Sequence, residues 1–371
     1  MSNLRIKPKN AGAFLAAVFL LPMIAQADTV RAAVGKPLEQ AQALIRNGDY
    51  AGAIAKLRKA AAVPDRTPYE NLVIAELRGT AAADAGDYSQ AAGAYQAALA
   101  TGDVPAAQQT QFVQAIAGFY ERAGDNANSI VWLSRYIAAG GQDPATRALL
   151  AQTYYQSGDY ANADHAAAAD ILVQVKAGRK PLESEWQLLA SAAEKTGDQR
   201  GYQTALEGLL ADDPRPQYWS AAIDRLLATP NFPDRLILDV YRLRRATGTL
   251  TAPGDYEDYA ERVILAGHPE EAKAVLAGGF ANGILTAQTD SGHAARLQAL
   301  VNQPNGANTN IQPASSANTA TPSLLDRGIA DFNANNLAAA RADFAAAAGG
   351  GDASTTDPDA ALARLWALRA G

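Results

Sequence analysis

Five times the chain sets a glycine directly before an aspartate at the same kind of place. The pairs are Gly48-Asp49, Gly86-Asp87, Gly124-Asp125, Gly158-Asp159 and Gly197-Asp198, at steps of 38, 38, 34 and 39 residues. A period of that size marks stacked helical hairpins, since each unit is one supersecondary element that cannot bury its apolar face alone. Glycine suits the left-handed position just past a helix end, and aspartate accepts hydrogen bonds from the free amides that open the next helix. One dipeptide therefore stops one helix and starts another. Gly267, followed by His268 and Pro269, restores the turn 70 residues after Gly197 (267 − 197 = 70), or two periods of 35. Pro269 fits the first helical position, where its missing amide hydrogen leaves nothing unpaired.

Helical periodicity flanks each turn. The spacing predicts helices over 37–46 and 49–62, with Ile54 and Leu57 inward, and over 69–84 before the second turn. Ala91, Ala94, Tyr95, Ala98 and Leu99 then form one apolar stripe. Further pairs are predicted at 106–123 with 126–138, which carries Trp132 and Tyr136, and at 144–156 with 160–175. Apolar residues make up 48% of the chain but aromatics only 7%, so alanine supplies much of the difference and favours thin, closely packed helices. Sustained apolar–polar alternation is absent, which argues against sheets. The fold class read here is all-α, an α-solenoid of stacked helix-turn-helix repeats.

The fifth copy is the most specific. Trp186, Leu189 and Ala190 lead to Gly197, Tyr202 and Leu206 follow, and Pro214 closes the unit. Elsewhere Leu150, Ala151 and Tyr154 match its first helix, and Ala53 with Leu57, and Ala91 with Tyr95, match its second. Ala41, Gly79, Ala117, Ala151 and Ala190 each lie seven before a turn glycine. This pattern resembles the tetratricopeptide repeat, over 37–214. The resemblance implies that the paired helices touch at those small residues and that the first helices line a concave, partner-binding surface. Residues just off the packing stripe would then form the groove: Gln42, Glu76, Gln114, Glu121, Gln152, Tyr155, Gln187 and Glu194. Family members that clamp a peptide's terminal carboxylate carry Lys, Arg and Asn there. This chain does not, which points instead to an extended segment held through amide hydrogen bonds.

Beyond Pro214 the pattern loosens. Helices are expected at 216–227, holding Trp219, and 233–246, but the link between them lacks the Gly-Asp turn. Tyr256, Tyr259 and Ala260 take lead-helix places before Gly267, and 294–300 reads as a short helix. Segment 302–322 has five Asn, three Pro and no charge, the composition of a flexible linker. A hairpin around Asn335-Asn336, the glycine breaker at 349–351 and an amphipathic helix at 358–370 follow. One hairpin and a helix bury too little alone, so 323–371 is expected to dock on the array or to engage a partner.

The first 27 residues read as a secretory signal: Arg5, Lys7 and Lys9, an apolar run from Ala11 to Leu21, then Pro22 and Ala25-Gln26-Ala27. That run is short of the ~20 residues a membrane span needs, so cleavage after Ala27 is expected over retention as an anchor. No cysteine follows it to carry a lipid. The organisation expected is thus a signal peptide at 1–27, a tetratricopeptide-like solenoid at 28–301, a linker at 302–322 and a helical hairpin plus helix at 323–371. Loss of the signal's three basic residues moves the formal charge from -6 to -9 (−6 − 3 = −9), a balance that disfavours nucleic acid.

A search for chemistry finds little. His165, His268 and His293 are far apart, and with no cysteine a zinc site has no ligand set. Phosphate-loop, dinucleotide and nucleophile-elbow motifs are absent. The carboxylate pairs Glu183/Glu185 and Glu257/Glu261 lie at helix starts, where the helix dipole favours negative charge. The run Arg242-Leu243-Arg244-Arg245 suits a solvated helix end, with an acidic-polymer patch as the functional alternative. No catalytic residue, cofactor or metal is expected. The reading is a non-catalytic, periplasmic envelope scaffold for protein or peptide partners. The alternatives are an accessory of polysaccharide or envelope-polymer export, and an enzyme with an unrecognised site.

Overall fold

The computed structural model describes residues 30–102, 104–286, 292–302, 323–349 and 357–371. The expected signal and its cleavage point, nearly all of the 302–322 linker and most of the glycine run at 349–351 lie outside them. Among the described residues the chain is all-α, built of helix-turn-helix pairs, with eighteen α-helices and one short 3-10 turn. It divides into two compact units, the first ending at Gly201 and the second beginning at Tyr202.

The first unit pairs α1 (Ala32–Arg46) with α2 (Tyr50–Ala61), α3 (Pro68–Asp84) with α4 (Tyr88–Ala100), α5 (Ala106–Arg122) with α6 (Asn126–Ala138) and α7 (Pro144–Gln156) with α8 (Tyr160–Lys176); α9 (Glu183–Thr196) follows. Each helix packs on the next along the chain. The odd-numbered members are the leading helices of their pairs. Helix α10 (Gln199–Asp212) holds the dividing point.

The turns work through local hydrogen bonds. Asp49, Asp87, Asp125 and Asp159 each accept from the backbone amide three residues on, at 2.8, 3.0, 3.1 and 3.2 Å. Their own amides reach back to Leu44, Ala82, Tyr120 and Tyr154, the long bond that closes a helix through a left-handed residue. Asp198 differs, accepting from Arg200 two residues on at 3.0 Å. At Gly267 the following His268 makes no side-chain cap, and Pro269 begins the next helix.

Gly86 has φ +79°, and a side chain there is strained although the space around it is open. Left-handed backbone costs an L residue about 1–2 kcal/mol, and a β-branched one falls at the upper end. Gly86→Val is therefore expected to lower the first unit's stability by about 2 kcal/mol, read as a lower urea midpoint with an unchanged slope.

Gly79 is small for another reason. A Cβ on it would collide with the Tyr95 ring of α4, which itself lies 4.9 Å from Phe112 and 5.4 Å from Phe119. Ala41, Ala117, Ala151 and Ala190 occupy the same register in their helices and are all buried.

Helix α1 begins five residues before the expected 37, with Pro37 inside it. Proline forfeits one backbone hydrogen bond there. The helix persists because its first turns bury Val34 and Leu38 with Ala53, Leu57 and Ile74 of α2 and α3. Arg31, just before it, grips Glu70 on α3, with Nη2 at 2.7 Å and Nε at 3.0 Å from the carboxylate. Thr67 and Glu70 complete a reciprocal cap at the start of α3. The Arg31 hydrogen bonds, with amides of Thr67 and Arg31 helping, hold the buried Glu70 carboxyl down to about 2 from 4.5. A depressed folded-state pKa stabilises above the unfolded value and is lost as pH falls through the folded one. The contribution is thus whole above pH 4.5 and gone near pH 2. Urea midpoints measured down this window should fall less steeply for Glu70→Gln than for the parent chain.

The second unit holds α11 (Pro216–Leu227), α12 (Ile237–Ala246), α13 (Pro253–Leu265), α14 (Pro269–Ala281), α15 (His293–Val301), α16 (Leu324–Asn333), α17 (Leu337–Ala347) and α18 (Pro358–Ala370). The helix expected to begin at 233 opens instead with a 3-10 turn, Asp234–Leu236, and becomes α-helical at Ile237. Asn335, at φ +59°, replaces glycine in the α16–α17 turn. Asparagine is the residue that best tolerates that backbone after glycine. Helix α18 packs on α16 and α17 and also on α11 and α12. Arg235 clasps Asp359 at 2.5 and 2.6 Å, and Arg369 donates to the Ala246 carbonyl at 2.8 Å.

Candidate functional site

In the first unit the leading helices are neighbours. Helix α1 packs on α3 and α7 on α9, while Gln114 of α5 donates to Thr146 Oγ1 of α7 at 2.7 Å. Counted back from each turn glycine, the proposed groove residues fall at ten (Glu76, Gln114, Gln187), six (Gln42, Gln152) and three (Glu121, Tyr155, Glu194). Steps of four and three place all of them on one helical face. The small residue seven back lies at the edge of the same face and is buried. Sequence spacing alone defines that face; the structure separates its members by what they touch.

Three of them are engaged. Gln114 spans to the α7 start, where Asp143 caps Thr146 at 2.8 Å. Gln187 donates to Glu183 of its own helix at 2.7 Å. Tyr155 meets Tyr160 edge-on at 5.1 Å, and the Lys195 ammonium lies 6.0 Å from the Tyr160 ring, so this group ties α7, α8 and α9 together. The side chains of Glu121, Gln152 and Glu194 make no hydrogen bond or ion pair among the described residues; the first two are half-buried and Glu194 is exposed. Burial pushes the half-buried Glu76 carboxyl upward, and the Tyr95 hydroxyl beside it is raised too, by burial first and then by that carboxylate. The face therefore carries three carboxyls, Glu76, Glu121 and Glu194, with amides and a tyrosine between them. None of its three registers holds a lysine or arginine.

The residues considered for other chemistry have structural partners or are exposed. Glu185 accepts from the Leu182 amide and from Gln174, at 2.6 and 3.0 Å. Glu257 meets His293 Nδ1 at 3.1 Å, joining α13 to α15. His165, His268 and Glu261 are exposed. No group of three or more His, Cys, Asp or Glu that could hold a metal occurs among the described residues. Nor is any described helix long and apolar enough to cross a membrane.

The arginine run at 242–245 is largely committed. Arg242 binds Glu271 through Nε and Nη2 at 3.0 and 2.8 Å and Asp239 through Nη1 at 2.9 Å. Arg244 pairs with Asp224 at 2.7 Å. Tyr259 donates to the same Glu271 at 2.7 Å and stacks on Tyr241, which donates to Asp258 at 2.6 Å. Burial alone would raise the Glu271 carboxyl; bonds from Arg242 and Tyr259 outweigh it and hold the carboxyl below its ordinary value. Burial raises Asp239 despite Arg242. Arg242 and Arg244 thus belong to an ion-pair network that ties α12 to α14 and α11, while Arg245 is exposed. These arginines were legible in the sequence, but their acids lie up to 29 residues away with no local signal.

A leading helix, a left-handed turn, a second helix and a small contact residue seven before the turn now recur in one order. The repeat is tetratricopeptide-like. No family model and no curated protein matches the chain. Among solved structures, a tetratricopeptide repeat protein from Parabacteroides merdae is 14% identical, covers 72% of this chain with 98% of its own length and has a TM-score of 0.37. The C-terminal part of a repeat-containing protein of the same type from Cytophaga hutchinsonii is 15% identical, with 70% and 98% covered and a TM-score of 0.35. The TPR2AB domain of yeast Sti1, in its pHSP90 complex, is 13% identical, with 73% and 98% covered and a TM-score of 0.31.

Proposed function

We propose that the chain is a non-catalytic scaffold that holds a protein or peptide segment on the leading-helix face of its first unit. The supporting observation is the division of labour along those helices. The residue seven before each of these turns is buried, while the side chains of Glu121, Gln152 and Glu194 on the adjoining face make no hydrogen bond or ion pair among the described residues. Amides and carboxylates with no basic residue among them suit an extended segment that offers backbone hydrogen bonds and Lys or Arg side chains. The expected signal at 1–27 supports a site of action in the periplasm. Amino-terminal sequencing of the exported protein should then begin at Asp28.

The test is capture from an envelope fraction at several salt concentrations, with the parent chain and a Glu121→Arg/Gln152→Ala/Glu194→Arg variant side by side. A defined partner retained by the first and lost by the second is the expected result. Equal recovery by both, or recovery by neither at any salt, overturns the reading. A circular dichroism melt of the variant excludes misfolding as the cause.

A further inference from the structure

After proline, glycine is the least favourable residue inside a helix, because it loses the most freedom on folding and packs no side chain. The leading helices of the first unit hold three, Gly35, Gly79 and Gly118. Gly35 lies in the first turn of α1, where a Cβ would meet Val30 at an ordinary 3.7 Å. Gly79 makes room for the Tyr95 ring. Gly118 has no such reason. It lies inside α5, and a Cβ there would meet nothing within 4 Å. Its neighbours Ala117 and Phe119 are buried, while Gly118 itself is half-buried.

Its position supplies the reason that packing does not. Gly118 is four after Gln114 and three before Glu121, so it shares their helical face. The chain reverses at the Gly124 turn and again between α6 and α7, so α5 and α7 run the same way. Gln114 of α5 and Thr146 of α7 are joined at 2.7 Å. About one to two turns further along lie Gly118 on the first helix and Gln152 on the second. Gly118 is thus a dip in the leading-helix face, bordered by side chains that make no hydrogen bond among the described residues. Bare backbone at such a place lets another backbone approach more closely than a Cβ would permit.

Charge bears on what the approaching segment carries. The cations of α5, α6 and α7 are each engaged elsewhere: Arg122 lies over Tyr88 at 5.5 Å, Arg135 over Trp132 at 4.5 Å, and Arg147 binds Asp170 at 2.7 Å. None pairs with Glu121 among the described residues. On α3, Arg78 is exposed about 200° around the helix from Glu76, away from this face. We propose that the bound protein segment passes over α5 at Gly118, backbone against backbone, with Gly, Ala or Ser facing the glycine and a neighbouring Lys or Arg reaching Glu121. The proposal rests on the leading-helix reading and adds to it the point of closest approach and the sequence preferred there.

The test selects displayed random peptides on the full chain, with counter-selection on the Glu121→Arg/Gln152→Ala/Glu194→Arg variant. Peptides kept in this way are those of the leading-helix face. They should carry Gly, Ala or Ser with Lys or Arg one or two positions away. Gly118→Ala should bind them more weakly than the parent, and Gly118→Leu about tenfold more weakly or worse. Stability should move the other way. Alanine restores helix propensity where space is open, so Gly118→Ala should melt about 1–4 °C above the parent. Gly93→Leu is the control, at an exposed glycine of α4 with equally open surroundings, and should bind as the parent does. Equal binding by the parent and both Gly118 variants overturns the proposal and leaves the leading-helix face standing. Finding no peptide that the triple variant loses overturns both. Selected peptides with bulky residues throughout overturn the proposal as well. So does a Gly118→Ala chain that melts below the parent, since the fold itself would then require the glycine.

Discussion

Trp366→Ala is expected to destabilise the second unit by about 3–5 kcal/mol, the usual cost of removing a large buried aromatic. The side chain is 1% exposed, stacked on Phe344 at 5.6 Å and edge-on to Phe332 at 5.3 Å. Its helix, α18, is also the one that joins the α16–α17 hairpin to α11 and α12. The loss should therefore reach beyond the hairpin and lower the melting of the whole second unit. Trp366→Phe, which keeps a ring against Phe344, should recover most of it. Truncation after Val301 supplies the matching control. It removes Asp359 from Arg235 and Arg369 from the Ala246 carbonyl together with the apolar face of α18. A fall of several degrees in Tm is expected; an unchanged Tm would mean that α18 contributes nothing to the core of that unit.

Arg242→Met should cost the second unit about 3 kcal/mol. Breaking a buried ion pair by removing one partner costs about 3–5 kcal/mol because the other charge stays buried and unmatched. The lower figure applies because the side chains of Arg242 and Glu271 are 19% and 23% exposed. Adding Glu271→Gln to Arg242→Met removes one of the two orphaned charges, Asp239 being the other, while keeping an acceptor for the Tyr259 hydroxyl. The double variant should therefore be more stable than Arg242→Met alone, a sign that separates electrostatics from lost packing. Additive losses across the cycle would show that the two side chains act independently.

Legibility followed the range of the interaction. Gly-Asp turns could be read directly because the glycine backbone, the aspartate cap and the long closing bond involve residues no more than five apart. The helix ends at 126–138, 144–156, 216–227 and 358–370 were legible for the same reason. Helix α1 was misjudged at its start because a local proline rule gave way to burial of Val34 against α2 and α3. The arginine run was misjudged as well, since a run of like charges shows nothing of the acids that the fold brings to it.

The same division holds for function. Residue order along the chain was enough for the repeat of helical hairpins, the turn that spaces them and the face of each leading helix beside the packing stripe. All of these depend on backbone geometry and side-chain periodicity, which are properties of short segments. Which residues on that face remain open depended on the folded packing. Packing engages Gln114 and Gln187 in hydrogen bonds and Tyr155 in an aromatic contact, and leaves the Glu121, Gln152 and Glu194 side chains without a hydrogen bond among the described residues. It also decided that α18 packs on α11 and α12, and that the last turn of α8 faces solvent. These outcomes depend on which distant side chains arrive at the same place, and a hydrogen bond or an ion pair forms only after both have been brought there.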